Sequence, residues 1–208
     1  MNRFRLTPSV IPNLFTAMNM FSGFFSIITA SQENYTYAAW LIVVAAVFDA
    51  LDGFMARLTK SSSELGVELD SLSDIVSFGA APSFLLYKTY FYQFETIGII
   101  LSSLIMIAGG FRLARFNVQL VGFDKAYFTG LPIPSSALTI VSFVLGFYNN
   151  GFNGPERYFV IPIVFALSLL MVSNIKYDTL SKYAFKIYIP AGCLHKSIET
   201  GVEKASFS

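Results

Sequence analysis

The chain has 208 residues, of which 54% are hydrophobic and 13% charged, with a formal net charge of +1 and a single cysteine. That charged fraction is about half the usual value for soluble domains, and mean hydropathy is +0.59, so the sequence describes an integral membrane protein. A charge balance this close to zero argues against a nucleic-acid partner, and the lone Cys193 excludes an intrachain disulfide or a thiolate metal cage.

A helix needs about 20 apolar residues to cross the hydrocarbon core. The first stretch that qualifies, roughly 11–31, follows Arg3 and Arg5 and is not followed by a convincing small-residue cleavage site. It reads as a retained span and not as a removable signal. Further stretches follow at roughly 36–57, 70–92, 96–115, 132–149 and 157–175, with short polar linkers at 31–35 and 149–156. The expected architecture is therefore all-α and polytopic, with about six transmembrane helices. Pro82 falls inside the third stretch and is expected to kink it, while Pro132 and Pro134 mark the start of the fifth. Residues 177–208 carry scattered Lys, Glu, Ser and Gly and no further span. They are read as a cytoplasmic tail behind one membrane domain over 1–176. His195 lies near Cys193 in that tail, and two such residues alone do not make a metal site.

The basic residues set the orientation. With the N-terminus inside, twelve of the fourteen Lys and Arg fall on the cytoplasmic side, and only Lys88 and Arg157 fall outside. An asymmetry of that size places both termini in the cytoplasm.

Acidic residues are costly within spans, so their presence marks function by default. Here Asp49 and Asp52 end the second stretch, and Asp70 and Asp74 begin the third. On a helix the first pair is about 60° and about 4.5 Å apart, and the second about 40° and about 6 Å. Each pair therefore projects from one face. A chain reversal between them, near Lys60 to Glu64, makes the helices antiparallel neighbours and brings both pairs to the cytoplasmic edge. Four carboxylates gathered there need counter-charge. Aspartate without histidine or thiolate suits two Mg²⁺ or Mn²⁺ ions, which together can clamp a phosphate ester. Ala46, Ala50 and Gly53 form a smooth stripe beside the acidic one, where a helix or a nucleotide could approach. Arg57, one turn beyond Gly53, can pair with a phosphate.

The run from Asp49 to Asp74, D-x2-D-G-x2-A-R-x8-G-x3-D-x3-D, resembles the signature of the CDP-alcohol phosphatidyltransferases at every fixed position. Three further segments are similar to the phosphatidylserine synthase branch: Asp70 to Pro82, Gly110 to Asn117 and Phe128 to Ser136. The opening Pro12 to Asn19 fits as well. The resemblance implies a six-helix fold, often dimeric, in the inner (cytoplasmic) membrane. It implies that the phosphatidyl group of CDP-diacylglycerol passes to the hydroxyl of L-serine with release of CMP. By position, Asp49, Asp52, Asp70 and Asp74 match metal ligands, and Asp74 also matches the general base. Gly53, Ala56, Arg57 and Gly66 match positions lining the CDP site, and Asn13 and Thr16 match first-helix residues near the nucleotide. Arg112 and Arg115, at the cytoplasmic end of the fourth stretch, either obey the positive-inside rule and snorkel or hold the serine carboxylate or a lipid phosphate. Asn117 could add a polar contact.

Two rivals bear on this reading. A cation transporter would place acidic residues near mid-bilayer on several helices, whereas here they gather at one edge. Another enzyme of the same family would use glycerol 3-phosphate, inositol phosphate or choline as acceptor, and Arg112 and Arg115 keep the phosphorylated acceptors open.

Overall fold

The computed structural model describes residues 10–59, 64–121, 130–148 and 157–173, and every regular element among them is helical. Helices α1 (Val10–Ser31) and α2 (Tyr35–Thr59) form a hairpin. Its turn is closed by the Glu33 amide donating to the Ala30 carbonyl (3.1 Å) and the Asn34 amide to the Thr29 carbonyl (3.1 Å). This bond pattern ends a helix on one left-handed residue, a place usually taken by glycine. Here it is Glu33, with φ of 66°.

Helix α3 (Glu64–Asp74) continues without a break through a π-helical turn (Ile75–Ala80) into α4 (Ala81–Thr89). The proline explains the change of pitch. Pro82 has no amide hydrogen for the α ladder, and just before it the Ala81 amide donates five residues back to the Val76 carbonyl. The perturbation expected at Pro82 is thus a widened turn, and it begins at the residue after Asp74. A 3-10 turn (Phe91–Phe94) leads into α5 (Glu95–Val121), followed by α6 (Ile133–Phe147) and α7 (Arg157–Val172).

Three stretches, Pro12–Ser31, Tyr35–Leu58 and Phe91–Val118, are long and apolar enough to cross a bilayer. The stretch expected at 70–92 falls on the composite α3–π–α4 run, which starts at Glu64. Helices α6 and α7 have 15 and 16 residues, somewhat shorter than the stretches expected at 132–149 and 157–175. Arg3, Arg5, Lys60, Lys125, and the tail with Cys193 and His195 lie outside the described residues.

Packing follows the logic of a lipid solvent. Large apolar side chains point outward from several helices, among them Phe21, Phe24, Trp40, Phe111 and Leu169, an exposure that suits hydrocarbon. Small and polar residues lie between the helices. Ser26 donates to the Ala38 carbonyl of α2 (2.8 Å), Ser73 to the Thr16 carbonyl (3.0 Å) and Ser77 to the Asn19 carbonyl (2.9 Å). Gly23 makes the last contact feasible, because a Cβ there would overlap the Ser77 backbone and hydroxyl. Helix α1 is thereby fastened to both α2 and the α3–π junction, and those two segments carry the aspartates.

Candidate active site

Asp49 and Asp52 project from the later turns of α2, and Asp70 and Asp74 from the second half of α3. The structure brings three of the four into one cluster: Asp49, Asp70 and Asp74 each offer a carboxylate oxygen within 4.8 Å of the other two. The Asp49 and Asp74 carboxyl groups are in hydrogen-bond contact. Asp52 lies outside that cluster, one turn along α2, yet close enough for its charge to act on Asp70 and Asp49. Its carboxyl group is buried at 7% exposure and faces the Thr16 hydroxyl and the Gly53 amide.

The donor set fits a hard divalent cation. Asp52 Oδ2 and Asp70 Oδ1 are buried without a hydrogen-bond partner among the described residues, and buried acceptors are ordinarily satisfied. Orphaned carboxylate oxygens beside a three-aspartate cluster supply the all-oxygen ligation that Mg²⁺ or Mn²⁺ prefers.

Helix α1 closes the site from the third side. Thr16, expected near the nucleotide, is buried with its hydroxyl donating to the Pro12 carbonyl (3.2 Å), and Asn13 is half-buried one turn earlier. The sequence reading missed Asn19. It is fully buried, its Nδ2 donates to Asp74 Oδ1 at 3.4 Å, and its own Oδ1 is an orphan. The signal was a polar residue inside an apolar span, three residues after Thr16 and on the same helical face.

The basic residues of α5 divide. Arg112 is 9% exposed, lies within electrostatic reach of Asp74, and leaves Nε unpaired among the described residues. Arg115 is engaged elsewhere: its guanidinium donates to the carbonyls of Val172 (3.0 Å) and Ser173 (3.3 Å) at the end of α7. A cation there also complements the helix dipole. Asn117 pairs with Ser71 of α3, its Nδ2 donating to Ser71 Oγ at 3.0 Å, which ties α5 to the aspartate-bearing helix.

The flank expected to receive the nucleotide is open. A Cβ at Gly53 would meet nothing within 4 Å. Ala46, Ala50, Phe54 and Arg57 line a groove of about 590 Å³ that extends to Leu138 of α6. Ala56 and Gly66 are half-buried on the two sides of the α2–α3 connection, and Arg57 is exposed.

The family model described as CDP-alcohol phosphatidyltransferase matches residues 9–175. A CDP-diacylglycerol–serine O-phosphatidyltransferase of Helicobacter pylori is 42% identical over 180 residues, covering 86% of this chain and 76% of its own. An archaetidylserine synthase of Methanothermobacter thermautotrophicus is 40% identical over 181 residues, covering 85% and 73%. A CDP-diacylglycerol–serine O-phosphatidyltransferase of Bacillus subtilis is 34% identical over 179 residues, covering 84% and 93%. The matched span contains every aspartate of the cluster and the α1 face that closes it, and the chain belongs to the CDP-alcohol phosphatidyltransferase family.

Proposed function

We propose that the protein transfers the phosphatidyl group of CDP-diacylglycerol to the hydroxyl of L-serine and releases CMP, as a phosphatidylserine synthase. The observation that carries this reading is the 42% identity, over most of both chains, to a relative named for that reaction. The aspartate cluster agrees with it, because phosphoryl transfer asks a protein mainly for positioning and charge stabilisation.

The residues take these roles. Asp49, Asp52, Asp70 and Asp74 would hold two divalent cations, Mg²⁺ or Mn²⁺, which when bound neutralise pyrophosphate charge and orient it. Asp74, steadied by Asn19, accepts the proton of the serine hydroxyl. That oxygen forms the new bond to the lipid-side phosphorus while the bond to the CMP oxygen breaks. A base must lie within hydrogen-bond reach of the proton it takes, and an Asp74 oxygen not engaged in ligation serves here. Gly53, Ala56, Arg57 and Gly66, with Asn13 and Thr16, line the CDP site, and the open space over Gly53 leaves room for it. Arg112 offers a fork for the serine carboxylate or a lipid phosphate. Asn117 holds the α3 face beside it through Ser71.

The proposal includes six membrane passes, both termini in the cytoplasm of a cell whose inner membrane holds the protein, the tail over 177–208, and a homodimer. The lipid tails of the donor then stay in the bilayer while its nucleotide meets water-soluble serine at the surface. In a Cys193→Ser background, Gln32→Cys and Thr59→Cys should label from opposite sides of the membrane. Labelling of both from one side removes this topology.

Membranes containing the protein, CDP-diacylglycerol and Mn²⁺ or Mg²⁺ are supplied separately with labelled serine, glycerol 3-phosphate and inositol phosphate. Serine label is expected in lipid. Incorporation of either phosphorylated acceptor in its place would assign a different enzyme of the family.

A further inference from the structure

A second concave site lies at the other end of the helices. Asp49 is fourteen residues beyond Tyr35 on α2, so Tyr35 is displaced from the aspartates by about 20 Å along the axis. Lys88, in the last turn of α4, stands at a similar distance from Asp74. Around these residues is a pocket of about 510 Å³ lined by Glu33, Tyr35, Tyr87, Lys88, Tyr92 and Tyr148, together with Thr89. That volume is within the range of ligand pockets.

Its walls come from five separate segments: the α1–α2 turn, the start of α2, the end of α4, the 3-10 turn and the end of α6. Interfacial tyrosines that merely anchor a helix face outward into lipid. Tyr92 is exposed in that way, but Tyr35 is buried and Tyr87 and Tyr148 are half-buried against the hollow, and Tyr35 and Tyr148 pack edge to face at 4.9 Å. The hollow holds one carboxylate and one ammonium group. Glu33 carries the additional mark of strain. It occupies the left-handed position (φ 66°) that ends α1, where glycine would fit at lower cost. Strained residues of this kind concentrate at ligand clamps.

We propose that this pocket binds the headgroup of a zwitterionic phospholipid from the leaflet opposite the aspartates, with Lys88 toward its phosphodiester and Glu33 toward its ammonium. The phenol hydroxyls add donors for the phosphate, and the ring faces add cation–π attraction for the ammonium. A strictly anionic headgroup would leave Glu33 opposed by like charge. The depth selects a lipid source, because a displacement of about 20 Å from aspartates at one edge of a hydrocarbon core of about 30 Å carries the pocket past the middle of the bilayer into its opposite half. The inference rests on the transmembrane part of the proposed function and not on its chemistry.

The full-length protein in detergent is titrated with dihexanoyl phosphatidylethanolamine, dihexanoyl phosphatidylglycerol and glycerophosphoethanolamine, and bound ligand is counted by native mass spectrometry. The ethanolamine lipid should bind about tenfold more tightly than the glycerol lipid, and Glu33→Gln and Lys88→Gln should each remove about that factor. Glu33→Gly should raise the melting temperature while losing the same affinity, which separates a ligand role from a folding role. Equal affinity for the two lipids, or unchanged affinity in both Gln variants, overturns the proposal. Glycerophosphoethanolamine binding as tightly as the lipid overturns the lipid assignment. Serine transfer by the same variants should stay at the wild-type rate, so failure of the pocket and failure of the proposed reaction are read independently.

Discussion

Asp74 links several parts of the site. It shares the cluster with Asp49 and Asp70, receives the Asn19 amide, and lies within reach of the Arg112 charge. Asp74→Asn keeps the size and removes the base, and loss of a general base typically costs about 10²–10⁴-fold in turnover. Turnover should fall by that range in a labelled-serine assay, with CDP-diacylglycerol still bound. Near-normal turnover would remove Asp74 as the base. The two arginines of α5 make a sharper contrast. Arg112 is buried beside the cluster with Nε unpaired among the described residues, whereas Arg115 is spent on the carbonyls of Val172 and Ser173. Arg112→Gln should raise the KM for serine about tenfold or more, since a bond to a charged group contributes about 1.5–3 kcal/mol. Arg115→Gln should lower thermal stability and leave that KM nearly unchanged. The reverse pattern would exchange their roles. Sequence alone could not separate them, because both obey the same charge rule three residues apart, and only the position of α7 distinguishes them.

At the scale of elements, the aspartate site depends on how closely α1 lies against the α3–π junction. Gly23 and Gly53 are both glycines in apolar helices, but they face opposite situations. A methyl group at Gly23 would strike the Ser77 backbone, while one at Gly53 would meet open space. Gly23→Ala should therefore cost about 1–3 kcal/mol through overpacking, and it should depress turnover by moving Asn19 away from Asp74. Gly53→Ala should leave the melting temperature unchanged or slightly higher and weaken donor binding. Thermal melts and CDP-diacylglycerol titrations of the two variants check this, and equal destabilisation by both would contradict the packing described. The pairing of Asp49 with Asp70 and Asp74 was legible in the sequence, because helical spacing and a short reversal dictate it. The π turn was not, since hydropathy gives only the length of a span, and the proline signalled a perturbation without its form. Asn19 was legible in principle, as a polar residue in register with Thr16. The displacement of Asp52 from the cluster was not, because an i,i+3 pair shares a face without sharing a ligand point.

Across the whole molecule, the aspartates meet where two helices approach each other. Two come from α2 and two from α3, and their mutual repulsion opposes the approach of those helices. Serine and asparagine bonds from α1 hold the arrangement from one side. A cation among Asp49, Asp70 and Asp74 would turn repulsion into a cross-link between α2 and α3. Such an ion binds the folded chain and not the unfolded one, so it stabilises by about 2.7 kcal/mol at a hundredfold excess over its Kd. Chelator-treated protein should therefore melt at lower temperature than the same protein with Mn²⁺ or Mg²⁺ added back, without any substrate present. The shift should vanish in Asp49→Asn and Asp70→Asn, where a ligand charge is lost along with the repulsion. A like shift in wild type and both variants would mean that the ions act elsewhere on the protein. An unchanged melting temperature in wild type, together with full turnover after chelation, would leave the cluster without its cation and the proposed reaction without its source of charge neutralisation.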